Sequence, residues 1–282
     1  VAVVTAAPTA YRAGTLAADL RALGLGPGDV VLVHCSLRTL GPVDGGAGAL
    51  ARALRTAVGP AGTVVVPAQT PDNSVSSAAY RAATAGLTDE ERLAYEDRMP
   101  GFDPAVTPSF GVGAFAEHVR RLPGAVRSRH PQTSFSAWGP RAQELMRIHD
   151  LDSHLGERSP LAALEAAGAW TLLLGVGYAT CTALHLAEYR LRRPAPRRPY
   201  RCYVLRDGRR ERLDFEAPHL DAAPFPVIGA ELDGAAFTRH GTVGDAPARL
   251  LPISDAVRTA VAWMDAHIGR CGPGNPSATS LP

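Results

Sequence analysis

An α/β fold, layered α/β/α around a largely parallel central sheet, follows from three features of the sequence. Short apolar runs alternate with helix-length segments, as in Asp29–His34, Gly45–Val58 and Gly62–Pro67, the pattern of βαβ units. Glycine- or proline-marked loops close these runs. The chain has 282 residues, 46% of them hydrophobic, enough for one large domain with a substantial core. Residues 1–270 read as a single domain with a long inserted lid segment at about 69–109, and 271–282 as a polar, Pro-rich, disordered tail.

Taken in order, Thr15–Leu23 has the apolar spacing of a first helix, with Leu16, Leu20 and Leu23 on one face. Asp29–His34 is a buried strand, and Cys35–Gly41 is the loop leaving its C-terminal end. Gly45–Val58 is helical and Gly62–Pro67 is the second strand. Gln69–Ser109 breaks the alternation: it is polar, carries prolines at 71, 100, 104 and 108, and has one clear helix near Thr88–Tyr95. Insertions of this length are commonly lids or binding loops. Helices follow at about Gly111–Arg121, Gly139–His149 and Ser159–Glu165, with the apolar run Thr133–Trp138 between the first two. In the last of these helices Ser159 is the N-cap and Pro160 the first helical residue. Trp170–Gly177 is a buried strand that ends in a glycine turn. Arg201–Leu205 and Arg210–Phe215 flank Asp207-Gly208, the signal of a late antiparallel hairpin. A final helix spans Ser254–His267.

Composition removes several function classes. The formal net charge is +2, so charge gives no reason to expect nucleic acid. All the basic residues are arginine, which weakens any argument from arginine clusters. The four cysteines, Cys35, Cys181, Cys202 and Cys271, are far apart without a Cys-x-x-Cys motif, arguing against zinc or a disulfide framework. No run is long enough to cross a membrane, and the start of the chain is a poor secretion signal. A reduced, cytoplasmic protein that touches no membrane is the expectation.

The stretch most suggestive of chemistry is Thr182-Ala-Leu-His-Leu-Ala-Glu188, following a strand and glycine turn. On a helix, residues three apart share a face, so Thr182, His185 and Glu188 point the same way near a strand end, where open α/β sheets bind ligands. A histidine backed by a carboxylate can accept a proton near neutral pH. By itself the pattern also fits a structural, hydrogen-bonded histidine. It also fits half of a carboxylate-bridged metal site, which needs a second Glu-x-x-His segment; none occurs.

Several segments, in this order, resemble the antibiotic N-acetyltransferase family, whose best-known members are aminoglycoside 3-N-acetyltransferases. They are Val33-His-Cys-Ser-Leu-Arg38 with Gly41, Gly45 to Gly62-Thr63, Phe102-Asp-Pro104, Arg127-Ser-Arg-His-Pro131, Ser159-Pro160, Leu173-Leu-Gly-Val176, Thr182–Glu188 and Gly241-Thr-Val-Gly244. Together they span roughly residues 14–270. Each piece is weak and the ordered set is specific.

The resemblance implies acetyl-CoA as co-substrate, an amine of an aminoglycoside as acceptor (the 3-amino group of the 2-deoxystreptamine ring) and antibiotic resistance as the outcome. It implies His185 as general base, with Glu188 holding its tautomer and Thr182 beside it. Ser36, Leu37 and Arg38 are expected near coenzyme A, with Arg127 and His130 as further contacts. Thr242 and Val243 are expected to hold the acetyl group and its developing oxyanion. A polycationic acceptor calls for acidic lining, for which Asp72, Asp103 and Glu231 are the candidates. Asp233 and Glu91 are weaker ones, and Glu91 also fits a capping box with Thr88. No metal is expected, and the chain is expected to be a monomer or homodimer.

The chain departs from the family pattern in two places. Many relatives carry Asp where this chain has Ala179, and Gln69–Arg98 is longer than usual. The long insertion favours a second reading, the same chemistry on a non-aminoglycoside amine in a biosynthetic pathway. A third reading is a coenzyme A-binding protein that has kept the fold without the chemistry.

Overall fold

The first helix, α1 (Ala13–Leu23), buries Leu16, Leu20 and Leu23 as its spacing requires. The structure, a computed structural model, describes residues 10–267; the tail expected over 271–282, and Cys271 with it, lies outside them. Strand β1 (Val30–Cys35) leads through a 3-10 turn (Leu37–Leu40) into α2 (Gly46–Val58), then β2 (Thr63–Pro67). The insertion holds α3 (Ala78–Ala83) and α4 (Asp89–Asp97). After it come α5 (Gly113–Arg120), β3 (Val126–Arg127), β4 (Phe135–Trp138), α6 (Ala142–Met146), α7 (Pro160–Ala166) and β5 (Trp170–Leu174). A short α8 (His185–Glu188) precedes the hairpin β6 (Arg197–Arg206) and β7 (Arg209–Pro218), followed by α9 (Phe225–Asp233), β8 (Arg239–Val243), β9 (Ala246–Pro252) and α10 (Ile253–His267).

Seven strands form one sheet in the order β3-β4-β2-β1-β5-β9-β8. The largely parallel sheet expected from the alternation is parallel only at its centre, where β1 pairs with β2 and with β5. Its flanking pairs, β2–β4, β3–β4, β5–β9 and β8–β9, are all antiparallel. The βαβ signal came from the central strands; β3–β4 and β8–β9 are joined by short connections, and β2–β4 and β5–β9 by long excursions through other elements, none of which carries such a signal.

The three-layer arrangement follows from the pleat. Along β1, Val31 and Val33 enter a core with Leu16 of α1, Leu54 of α2 and Phe115 of α5, while Val30 and Leu32 enter the opposite core with α6–α10. By the same alternation His34 lies on the α8 side, paired in register with Leu173 of that core.

The hairpin is longer than its sequence signal. Asp207 and Gly208 have φ of 50° and 75°, both left-handed, the backbone of a type I′ turn that matches strand twist. It is also the frame on which the insertion rests. Asn73 donates to the Tyr203 carbonyl at 2.7 Å and accepts from its N–H at 3.0 Å, and Phe102 bridges to Val204. Buried Glu96 accepts hydrogen bonds from Tyr80 (2.6 Å), Tyr203 (2.9 Å) and Arg201 (3.0 Å). Burial opposes its charge, but these bonds outweigh that effect and hold its carboxyl below the ordinary range. Glu96→Ala leaves Arg201 without one of its anions and two phenols unpartnered. We expect it to destabilise the protein by about 3 kcal/mol and to open the segment at 69–109 to limited proteolysis; unchanged denaturation and cleavage would contradict this packing.

Candidate active site

The parallel strands β1 and β5 are neighbours in the sheet, yet the chain leaves their C-terminal ends toward opposite faces. After β1 it runs to α2 on one face; after β5 it runs to α8 on the other. Such a switch point opens a crevice beyond the strand ends, and a cavity of about 540 Å³ lies there. Its wall includes Ser36, Leu37 and Arg38 from the turn after β1, Thr182 and His185 from the segment after β5, and His34.

Gly175 allows the two loops to approach. Its φ is +66°, and a Cβ there would lie 1.7 Å from the Thr39 hydroxyl, so a side chain is excluded both by conformation and by space. The segment that follows is not one regular helix. Thr182–Leu184 is a 3-10 turn that continues into α8 at His185. Neither Thr180 nor Thr182 caps it; the Thr180 hydroxyl bonds back to the Gly177 carbonyl at 2.9 Å. Thr182 and His185 nevertheless reach the same cavity.

His185 Nδ1 lies 2.5 Å from Glu188 Oε2. The other carboxylate oxygen of Glu188 accepts the Asp221 N–H at 2.7 Å, and the His185 ring packs edge-on against Phe225 at 4.7 Å. The carboxylate is buried and both its oxygens are used, so the imidazole is fixed with its proton on Nδ1 and its Nε2 free. The chain segment after the hairpin, with α9, thus supports the site from behind.

Both thiols in the cavity wall, Cys35 and Cys181, are pushed up to about 12 by burial. They stay protonated near neutrality and are poor nucleophiles.

The remaining expected contacts lie outside this cavity. Arg127 lies low in the protein, its guanidinium bonded to Ser134 Oγ at 3.0 Å and to the carbonyls of Ala68 and Thr107, and packed over Phe102. It ties the insertion to β2 and β4. Burial lowers its pKa to about 10. His130 is fully buried, donating from Nε2 to the Leu151 carbonyl at 3.1 Å and accepting two backbone N–H groups at Nδ1. It stacks with His149 and His154, at 4.7 and 4.6 Å between ring centres. Neither residue is in the wall of this cavity.

Thr242 and Val243 are not in the cavity wall either. They end β8 at the sheet edge, with Val243 in the core. The glycine-flanked stretch that reads as a loop is the end of a strand and its turn.

The acidic candidates are dispersed. Asp72 lines a separate cavity of about 300 Å³ beside Tyr80 and Tyr95, and burial raises its pKa. Asp103 is a turn residue whose carboxylate accepts the Ala105 N–H at 2.8 Å. Glu231 is exposed on α9. Asp233 is paired with Arg249 and Tyr178, and Glu91 forms the capping box with Thr88. Among the described residues the wall of the cavity at the strand ends carries no carboxylate, and Ala179 is part of it.

Residues that the sequence did not single out complete the wall: Gln69 and Gly111–Ala114. They are the two ends of the insertion, joined by Phe110 N–H to the Gln69 carbonyl at 2.7 Å. The paired glycines Gly111 and Gly113 before a helix were the available signal. Among the described residues no group of side chains could hold a metal ion, and no helix is long and apolar enough to cross a membrane.

Residues 32–265 match the family described as aminoglycoside 3-N-acetyltransferase. The aminoglycoside N(3)-acetyltransferase VII of Streptomyces paromomycinus is 37% identical over 278 residues, covering 92% of this chain and 93% of that protein. The crystal structure of YokD protein from Bacillus subtilis superposes with a TM-score of 0.87 at 31% identity, over 93% of this chain and 96% of that one. AAC-IIIb, solved as a binary complex with CoASH, superposes with a TM-score of 0.81 at 29% identity, over 95% of this chain and 100% of that one. With the match running from β1 to α10, and the relatives covered nearly end to end, the chain belongs to the aminoglycoside 3-N-acetyltransferase family.

Proposed function

We propose that the cavity at the β1–β5 strand ends transfers an acetyl group from acetyl-CoA directly to an amine of an aminoglycoside, the 3-amino group of the 2-deoxystreptamine ring, and so confers resistance. The observation that carries this reading is the fixed His185–Glu188 pair with Nε2 free beside a cavity that opens at the strand ends.

An amine near neutral pH is largely protonated, and only its neutral form attacks a thioester, so a base held at the site is useful. His185 Nε2 takes the proton of the attacking amine while Nδ1–H remains bonded to Glu188. The carbon–nitrogen bond forms at the thioester carbonyl and the carbon–sulfur bond then breaks. The departing thiolate takes the proton from His185. Glu188 stabilises the imidazolium between these steps. Neither Cys35 nor Cys181 serves as an acetyl carrier, since both are held protonated, which favours direct transfer. Thr182 stands in the cavity wall, where its hydroxyl is available to the bound substrates.

Leu37 and Arg38 open a 3-10 turn capped by Ser36, whose own N–H is held by the Leu174 carbonyl at 3.0 Å; the first N–H groups of such a turn are not used by its own bonds, a place for the amide-rich pantetheine arm. Arg38 is exposed at the same wall, and its fork suits a phosphate. Arg38→Ala is expected to raise the KM for acetyl-CoA about tenfold with little change in kcat; an unchanged KM removes Arg38 from the coenzyme site. The position of transfer is read by nuclear magnetic resonance of the acetylated product. Acetyl on the 3-amino nitrogen supports the proposed regiochemistry, and acetyl on another nitrogen contradicts it.

A further inference from the structure

His34 sits at the C-terminal end of β1, on the same side of the sheet as α8, and lines the cavity with His185. It is 6% exposed. Neither ring nitrogen has a hydrogen-bond partner among the described residues, and Nε2 is sealed from solvent. A buried polar group left unpartnered costs about 1–3 kcal/mol, and native structures tolerate few of them without a reason. Orphaned N–H groups are rarer than under-used acceptors. This favours the tautomer with the lone pair on the sealed Nε2 and the proton on Nδ1.

The two histidines differ in kind. His185 has a carboxylate behind it and His34 has none. Burial, with repulsion from His185, holds His34 down to about 4, so it is neutral near pH 7. A neutral imidazole can donate a hydrogen bond without adding a positive charge beside the base, where such a charge would oppose the proton uptake required of His185. Thr242 and Val243, the pair expected to hold the oxyanion, lie outside the wall, whereas His34 is in it beside His185.

We propose that His34 is a catalytic residue that donates its Nδ1–H to the carbonyl oxygen of the acetyl thioester and to the oxyanion formed when the amine attacks. No proton changes hands at His34: the carbonyl π pair moves onto oxygen as the carbon–nitrogen bond forms and returns as the carbon–sulfur bond breaks. The inference rests on the acetyl-transfer reading above, but not on the identity of the acceptor.

The test is isotope-edited infrared spectroscopy of acetyl-CoA labelled with carbon-13 at the acetyl carbonyl. It is bound without acceptor to the wild-type enzyme and to His34→Leu and His34→Gln. A hydrogen bond lowers the carbonyl stretching frequency. We expect a lower frequency in the wild type than in His34→Leu, with partial recovery in His34→Gln, whose amide can donate. With an acceptor that turns over, kcat of His34→Leu falls about 100-fold while the KM for acetyl-CoA changes little. His34→Leu should melt no lower than the wild type, because it removes an unpartnered buried nitrogen. Identical carbonyl frequencies in the wild type and His34→Leu would overturn the assignment. So would a loss of activity matched by a loss of melting temperature and unaccompanied by any shift in frequency. Failure of every aminoglycoside to turn over bears on the acceptor alone, and leaves the spectroscopic result to decide the role of His34.

Discussion

His185→Ala is expected to bind acetyl-CoA as the wild type does and to turn over about a thousand-fold more slowly. The argument rests on geometry: His185 Nδ1 is 2.5 Å from Glu188, whose second oxygen is held by the Asp221 N–H. The ring therefore has one nitrogen committed and one available, and removing it removes the group that takes the amine proton while leaving the wall formed by Ser36–Arg38 intact. Glu188→Gln keeps the shape but loses the charge that stabilises the imidazolium and one of the two acceptors, since its amide NH2 must face either His185 Nδ1–H or the Asp221 N–H, so its kcat falls between those of the wild type and His185→Ala. The measurement is steady-state kinetics with acetyl-CoA affinity determined separately. A fall in acetyl-CoA affinity with unchanged kcat would assign the pair to binding rather than proton transfer.

The second large effect is on stability in mild acid. His34 and His130 are held down to about 4 and His154 lower still, each chiefly by burial, and His149 is likewise driven well below the ordinary value. Folded, they are neutral; unfolded, they titrate near the ordinary 6.5. The unfolded chain thus binds more protons below that value, and stability falls as the pH falls. The stabilisation is complete above about 6.5 and drains away as the pH drops toward the folded values. One pH unit below 6.5 costs roughly 1.4 kcal/mol for each histidine that titrates fully on unfolding.

Carboxylates with lowered values, such as Glu117 at about 2 despite its burial, through its bonds to Arg120 and Ser109, add their loss only below their ordinary range near 4.5. The interval from pH 6.5 to 5 therefore reports the histidines. We expect the melting temperature to drop by at least 10 °C over that interval, from several kcal/mol at about 2–4 °C each. His154→Phe, which removes an unpartnered nitrogen from the stack against Tyr200 and Phe215, should flatten the slope. A melting temperature that is level from pH 7.5 to 5 would contradict the burial of these rings as neutral groups.

The strong local patterns were legible in the sequence. The central strands β1, β2 and β5 are continuous apolar runs because both faces are covered. The Asp207-Gly208 turn and the Thr88–Glu91 capping box carry their own backbone chemistry. His185 and Glu188 were readable because a short helical segment brings residues three apart together whether it is 3-10 or α.

Features set by distant packing were not legible. Gly241–Gly244 reads as a loop, yet β9 captures it as the edge strand β8. Arg127 and His130 have the residue types of ligand contacts, but the first is consumed by carbonyls at Ala68 and Thr107 and the second by the stack with His149 and His154. His34 lies inside the Val33–Arg38 segment that carries the resemblance, but nothing in the sequence gave it a role of its own. Its importance comes from the register of β1 against β5, which places it under α8. Nor does an acidic composition in the insertion reveal an acidic pocket: Glu96 of α4 is spent on the hairpin and Glu91 on its own helix start.

The most direct test of the account is thiol release from acetyl-CoA, measured for the wild type and His185→Ala in parallel with gentamicin, tobramycin, neomycin, paromomycin and apramycin. The account predicts acceptor-dependent release with at least one of these drugs and its near-complete loss in His185→Ala. Release that persists in His185→Ala, or none with any of the five, would contradict it.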